Sequence, residues 1–306
     1  ARALRPLLEQ GAAESERLGR LCDTTAQALC ESGLFGLLVP RELGGIEADP
    51  RTCIDVIEEL AYADGSVGWV MIATTFCIAG ATSWLGDDVI DEMFGGRGFI
   101  AAAQIAPNGT ATRVEDGWRI EGQFHFGSGS QLSSWFMGAF VLHEDGVAVR
   151  TSEGAPQVMY VYGPREHVWF EPGSWDVTGL RATASHDFRF VDQVVSDDLV
   201  MVPARRTRRG GPVMDIGVSL GHVAWSLGVS TRILDELATL AARKQRQGRA
   251  RLVDQSMFQR DFGMHRASIE AARAYIRRVY DDWFAEAAAH GPAGLDARAA
   301  ARLAAC

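Results

Sequence analysis

The sequence predicts an α+β protein built in three parts, helical, then β, then helical, and three observations carry that prediction. Apolar residues recur at spacings of three and four through the first ninety-odd residues and again after Pro203, as one-sided helices require. Between these stretches lie six short runs rich in aromatic and β-branched residues, separated by turn residues. The 306 residues are 47% hydrophobic and 23% charged, which suffices for a sizeable core and excludes global disorder.

In the N-terminal part (1–95), Leu18, Leu21, Thr25, Ala28 and Leu29 share one helical face that stops at Gly33, a C-terminal cap. Asp49-Pro50 restarts a helix, with Asp as N-cap and Pro at the first helical position, and Ile54, Ile57, Leu60 and Ala61 line its face. From Val67 to Leu85 no charged residue occurs, a length that resembles a membrane span. Gly68, Thr74, Thr75, Gly80, Thr82 and Ser83 dilute it, and Asp64, Asp87 and Asp88 flank it without a Lys or Arg to orient it, so a buried core helix is expected. Ala1 to Arg20 lacks a continuous apolar run, and no signal peptide is expected.

The middle part (96–205) places strands at Phe99–Ile105, Trp118–Ile120, Ser134–Leu142, Gln157–Tyr162, His186–Val191 and Leu199–Val202. Asp116-Gly117 and Asp145-Gly146 have the chemistry of tight hairpin turns, which predicts an antiparallel sheet. In the C-terminal part (206–306), Leu220, Ala224, Leu227, Thr231, Leu234, Ala238 and Ala241 form one stripe. A second helix from about Asp254 carries Phe258, Phe262, Ile269, Ala272, Ile276 and Trp283. Both stripes read as bundle core.

Thirty Lys and Arg against 39 Asp and Glu give a net charge of -9, which lacks the electrostatic footprint of a nucleic-acid binder. The five cysteines, Cys22, Cys30, Cys53, Cys77 and Cys306, are scattered without a CxxC pair, so neither a disulfide framework nor a zinc site is expected. A reducing cytoplasm fits. No dinucleotide fingerprint, phosphate loop or His-Glu-x-x-His helix occurs.

The segment Gly33-Leu-Phe-Gly-Leu-Leu-Val-Pro-Arg-Glu-Leu-Gly-Gly45, set in this helical, β, helical order, resembles the acyl-CoA dehydrogenase superfamily over nearly the whole chain. Three further segments look like its flavin-dependent monooxygenase branch, the oxygenase components of two-component hydroxylases. They are Asp64-Gly-Ser-Val-Gly-Trp69, Pro107-Asn-Gly109 continuing to Gly117–Gly129, and Trp175–Asp187. Dehydrogenases carry Thr-Glu-Pro followed by Gly-Ser-Asp where this chain has Ala103-Gln104-Ile105-Ala106-Pro107-Asn108-Gly109, so the usual acyl-CoA pocket lip is missing. The family's last helices, which hold the dehydrogenase glutamate base or a hydroxylase's substrate-facing histidine, are expected past Cys306. The connection Arg205–Met214 is short for the family.

The resemblance implies a central barrel-like β domain and a homotetramer with flavin at subunit contacts. It also implies reduced FMN or FAD delivered by a separate flavin reductase, and one oxygen atom of O2 passed to an aromatic or heterocyclic small molecule. It places Gln104, Phe126, Ser128, Gly129, Arg181 and Lys244 around the flavin, with Ser128 at N5 as the catalytic position and Trp69 in the wall of the substrate pocket. Read from the residues alone, Phe126–Ser130 is a turn, and Arg181, Thr183, Ser185 and His186 are a turn and strand start. By resemblance, Arg181 either contacts flavin phosphate or fixes that turn, and His186 is either a base or a structural hydrogen-bonding group. Arg243 to Arg249 is either a dipole-complementing helix end or, at Lys244 and Arg246, a phosphate contact. Arg205, Arg206, Arg208 and Arg209 read as a solvated linker. An acyl-CoA dehydrogenase and a noncatalytic assembly protein of the same fold are the alternatives.

Overall fold

A computed structural model of the chain describes residues 1–95, 99–171, 173–201, 209–217, 219–245, 247–248 and 250–305. Arg205, Arg206, Arg208, Arg246, Arg249, Cys306 and the end of the last expected strand at Val202 lie outside them, as do residues 205–208 of the short connection.

Five helices come first: α1 (Arg5–Leu18), α2 (Asp23–Glu31), α3 (Pro50–Ala63), α4 (Gly65–Trp84) and α5 (Asp87–Phe94). The strands follow as β1 (Ala101–Val114), β2 (Gly117–Gly127), β3 (Trp135–Glu144), β4 (Val147–Ala148), β5 (Val158–Pro164), β6 (Trp169–Phe170), β7 (His186–Val195) and β8 (Val200–Met201). The last helices are α6 (Ser219–Arg243), α7 (Ser256–His290) and α8 (Leu295–Ala304). The chain divides into two compact units. One comprises residues 1–10, 48–68 and 215–306, the other 11–47 and 69–214.

In the first unit, Asp49 accepts from the Thr52 backbone N–H at 3.0 Å and Pro50 opens α3, as its sequence requires. Ile54, Ile57, Leu60 and Ala61 are buried, as are Leu220, Ala224, Leu227, Leu234 and Ala241 of α6. Polar ties join these helices: Tyr62 donates to Asp235 at 3.0 Å, and Arg273 of α7 bridges Glu58 and Thr231. The apolar stripe of α7 is unevenly covered. Ile276 and Trp283 are buried, whereas Phe258, Phe262, Ile269 and Ala272 are only partly so.

The second unit is built on an eight-stranded sheet in the order β6-β7-β2-β1-β3-β5-β8, with β4 paired to β3. The Asp116-Gly117 and Asp145-Gly146 turns join β1 to β2 and β3 to β4. Six of the seven ladders are antiparallel, but β1 pairs with β3 in parallel, which corrects the purely antiparallel expectation. The loop after β2 carries the chain across to the far edge of β1, so β3 runs in the direction of β1. The described sheet ends at β6 and β8 and does not close into a barrel. Phe124, Phe136, Phe140, Phe188 and Phe190 fill its core, with Phe124 stacked on Phe188 at 5.3 Å.

Two further expectations are corrected. The single helix face from Leu18 to Leu29 is broken, because Gly19 turns into the left-handed region (φ +67°) and a new helix starts after Cys22. The break still buries Leu21. Arg209 is no solvated linker: its guanidinium donates to the carbonyls of Thr82 (3.2 Å) and Leu85 (2.6 Å) and pairs with Asp87. It thus satisfies acceptors that the C-terminus of α4 leaves open. Helix α4 is the one described helix long and apolar enough to cross a bilayer, and 67% of its apolar window is buried within the protein.

Candidate functional site

The site begins with an irregularity in β2. That strand pairs with β7 antiparallel, with a first register shift between Ile120 and Gly122; it then runs from Gly122 opposite Phe190 to Phe124 opposite Phe188 and spends one extra residue before Gly127 meets His186. The resulting bulge falls at His125 and Phe126. Phe126 takes φ +59°, an outlier for a bulky side chain; the residue is 65% exposed, and its ring rests edge-on against Trp175 at 6.2 Å.

Beyond the bulge the chain must pass close to α4. Gly129 has φ +78°, and a Cβ there would lie 2.9 Å from Thr74 Cγ2 and 3.2 Å from Val70 Cγ1, so only glycine permits this approach. Its N–H donates to Thr183 O at 2.8 Å, tying the loop to a short turn, Arg181–Thr183, that is bracketed by Leu180 (φ +55°) and Ala184 (φ +46°). Six non-glycine residues among those described have positive φ, and Phe126, Leu180 and Ala184 are three of them. Each left-handed residue of this kind costs about 1–3 kcal/mol, and such strain concentrates where function over-determines the backbone.

The two loops bring three hydroxyls together, and α4 adds the Trp69 indole. Ser128, 5% exposed, lies with its Oγ 2.8 Å from Ser185 Oγ, which is 2.7 Å from Thr183 Oγ1. Thr183 donates to Leu180 O at 2.9 Å, and the Trp69 indole N–H donates to Ser128 Oγ at 3.0 Å. Nearby, Ser130 donates to Ala184 O at 2.7 Å, and Arg165 donates to the carbonyls of Ser130 (2.6 Å) and Ser133 (3.3 Å).

Gln104, in β1, accepts the His125 backbone N–H at 2.9 Å and the Asn108 amide at 3.2 Å, which links it to the residue before Phe126. Arg181 donates from Nε to Glu16 O at 3.3 Å and from Nη1 to Val177 O at 3.2 Å, while Trp175 donates to Arg181 O at 3.1 Å. These contacts fix the turn. Burial pushes the His186 imidazole below its ordinary value, which favours the neutral ring. Lys244 is exposed in the other unit, just past α6, and its carbonyl accepts from Leu252 N–H at 3.0 Å. Sequence reasoning singled out neither His125 nor Asp187, whose Nδ1 and Oδ2 lie 2.7 Å apart. The β2–β7 register would have revealed them. A cavity of about 160 Å³ lies against Gly129 and Thr183, bordered by Arg20, Val70 and Gln131. It is smaller than the roughly 300–1,000 Å³ of ordinary ligand pockets.

Known proteins share the sequence and fold of this chain. The acyl-CoA dehydrogenase N-terminal domain family matches residues 2–106, and the acyl-CoA dehydrogenase C-terminal domain family matches residues 220–306. The chain is 28% identical to an indole-3-acetate monooxygenase of Pseudomonas putida over 303 residues, 95% of this chain and 74% of that protein. It is 31% identical to the flavin-dependent monooxygenase oxygenase subunit HsaA of Rhodococcus jostii over 67% of this chain and 50% of that protein. With several such relatives the chain spans only about half of their length. XiaF from a Streptomyces species, solved in complex with FADH2 and glycerol, superposes with a TM-score of 0.84 at 23% identity, covering 99% of this chain and 78% of that one, and so shows the fold. With both its N-terminal and its C-terminal domain models matched, the chain belongs to the acyl-CoA dehydrogenase superfamily.

Proposed function

We propose that the protein is the oxygenase component of a two-component flavin monooxygenase. One observation carries the reading: on a chain whose relatives are monooxygenases, backbone strain holds an exposed aromatic ring, Phe126, beside a hydroxyl, Ser128, that is fixed by other side chains. An open ring face next to a held hydroxyl suits a flat ligand with a polar edge, and reduced FMN or FAD is such a ligand. The adjoining cavity is too small for three fused rings, so the flavin would lie against the Phe126 surface.

When bound, reduced flavin supplies the oxygen-activating chemistry. The chain's residues bind and orient it. Phe126 takes a ring face, Ser128 holds the N5 edge, Gln104 braces β1 against the bulge, and Arg181 keeps the Ser185 turn in place. Trp69 borders the substrate side, and Lys244 is assigned to flavin phosphate. An aromatic or heterocyclic acceptor, a separate flavin reductase, a homotetramer and a reducing cytoplasm complete the proposal. The free thiols of Cys22, Cys53 and Cys77 support the last of these.

The test is anaerobic titration with reduced FMN and FAD, followed by mixing with 18O2 and indole or a phenol. Tight binding of reduced flavin and one 18O atom in the product are expected. Bleaching of bound oxidised FAD by an acyl-CoA would make the protein a dehydrogenase, and failure to bind any flavin would make it a noncatalytic member of the fold.

A further inference from the structure

We infer that Ser185 and Thr183 are positioning residues that fix the proton of Ser128, so that its hydroxyl meets a ligand as a hydrogen-bond acceptor and selects the reduced flavin. The inference rests on the flavin reading above and deepens it.

Each hydroxyl has one proton and two lone pairs. Thr183 spends its proton on Leu180 O at 2.9 Å, so the 2.7 Å contact between Thr183 and Ser185 is a hydrogen bond only if Ser185 donates. Ser185 then has no proton left, and the 2.8 Å contact to Ser128 is bonded only if Ser128 donates. Trp69 N–H fills one lone pair of Ser128 at 3.0 Å. The order Trp69 → Ser128 → Ser185 → Thr183 → Leu180 O thus satisfies four contacts of 3.0 Å or less. The reverse order gives up the 2.9 Å bond to Leu180 O and sends the Ser128 proton to Phe126 O at 3.4 Å, the limit of a useful bond. Ser128, Thr183 and Ser185 are all buried, so water does not offer alternative partners cheaply.

What Ser128 keeps for a ligand is therefore one lone pair. Reduced flavin carries N5–H, a donor, and matches it. Oxidised flavin carries an unprotonated N5, an acceptor, and meets lone pair with lone pair. The strain at Leu180 and Ala184 acquires a purpose here, since it turns the side chains of residues 183 and 185 to one side.

Thr183→Val tests this with little change of volume. Leu180 O keeps the Thr183 backbone N–H at 3.1 Å, while Ser185 loses its acceptor and turns its proton to Ser128, which frees the Ser128 proton for a ligand. Dissociation constants of oxidised and reduced FMN are measured for both proteins. The wild type is expected to favour reduced flavin, and the ratio of oxidised to reduced constants is expected to fall about tenfold in Thr183→Val, the equivalent of one hydrogen bond. Thr183→Ser should restore it. The Trp69 indole N–H resonance should stay in place in both variants, which shows that Ser128 has not moved. Flavin binding with an unchanged ratio in Thr183→Val overturns the proton assignment alone, whereas absence of flavin binding in the wild type overturns the functional reading beneath it.

Discussion

Replacing Phe126 by Ala and by Gly, and comparing the two variants with each other, isolates the backbone from the ring. Both lose the same aromatic side chain, its contact with Trp175 and its partial burial. What differs is the Cβ at φ +59°. A left-handed backbone costs an L-residue roughly 1–2 kcal/mol, while glycine gives back about 0.4–1 kcal/mol through the greater freedom of its unfolded chain. The Gly variant should therefore be the more stable by about 0.5–1 kcal/mol, which raises its Tm by roughly 1–4 °C above the Ala variant for a unit of this size. At an ordinary strand dihedral the sign reverses, and Ala leads by about 0.4–1 kcal/mol. Thermal melts and urea midpoints measured side by side decide it. An Ala variant as stable as the Gly variant, or more so, refutes the strained bulge. If the ring is the flavin platform, reduced-flavin affinity should fall equally in both.

Gly129→Ala should cost about 2–4 kcal/mol, because the added methyl meets Thr74 and Val70 at 2.9 and 3.2 Å and the backbone stays at φ +78°. A loss below about 1 kcal/mol by urea denaturation would show that the loop does not press on α4. Asp64 carries the pH prediction: burial raises its carboxyl above the ordinary 3.8, against the N–H groups of Ser66 and Val67, so the native state holds the proton longer than the unfolded chain. Its contribution falls as pH rises from about 4 through the folded value, so Asp64→Asn should be more stable than wild type at pH 7 and lose that lead below about pH 4. An equal gap at pH 3 and pH 7 would contradict the assignment.

Local chemistry made most of the elements legible. Aromatic and β-branched runs located six strands, Asp-Gly pairs located two hairpins, and Asp49-Pro50 located the start of α3. What escaped was set by partners distant in the chain. The parallel β1–β3 ladder depends on which edge of β1 the chain reaches after its loop, and no residue in β3 records that. Arg209 looked like one charge in a basic run until it met the carbonyl end of α4, more than 120 residues away. At the site, resemblance pointed to Ser128, but Thr183 and Ser185 read as turn formers because hydroxyl residues favour turns for reasons unrelated to function. Their role exists only when a loop 57 residues earlier is laid against them.

The magnitudes limit how much selectivity the hydroxyl chain can confer. One neutral hydrogen bond is worth about 0.5–1.5 kcal/mol, roughly a tenfold preference at most between ligands that differ by a donor and an acceptor. Reduced flavin can also differ from oxidised flavin in charge, which acts over a longer range than one bond. Arg181 contributes less to that than its formal charge suggests, because two of its donors hold the carbonyls of Glu16 and Val177 and Asp176 stands 3.9 Å from its Nη1. The two contributions separate cleanly in experiment. A preference of about tenfold that disappears in Thr183→Val and ignores added salt belongs to the Ser128 proton. A larger preference that survives the substitution and declines as salt screens it comes from cationic side chains, and the hydroxyl chain then sets only the orientation of the bound ring.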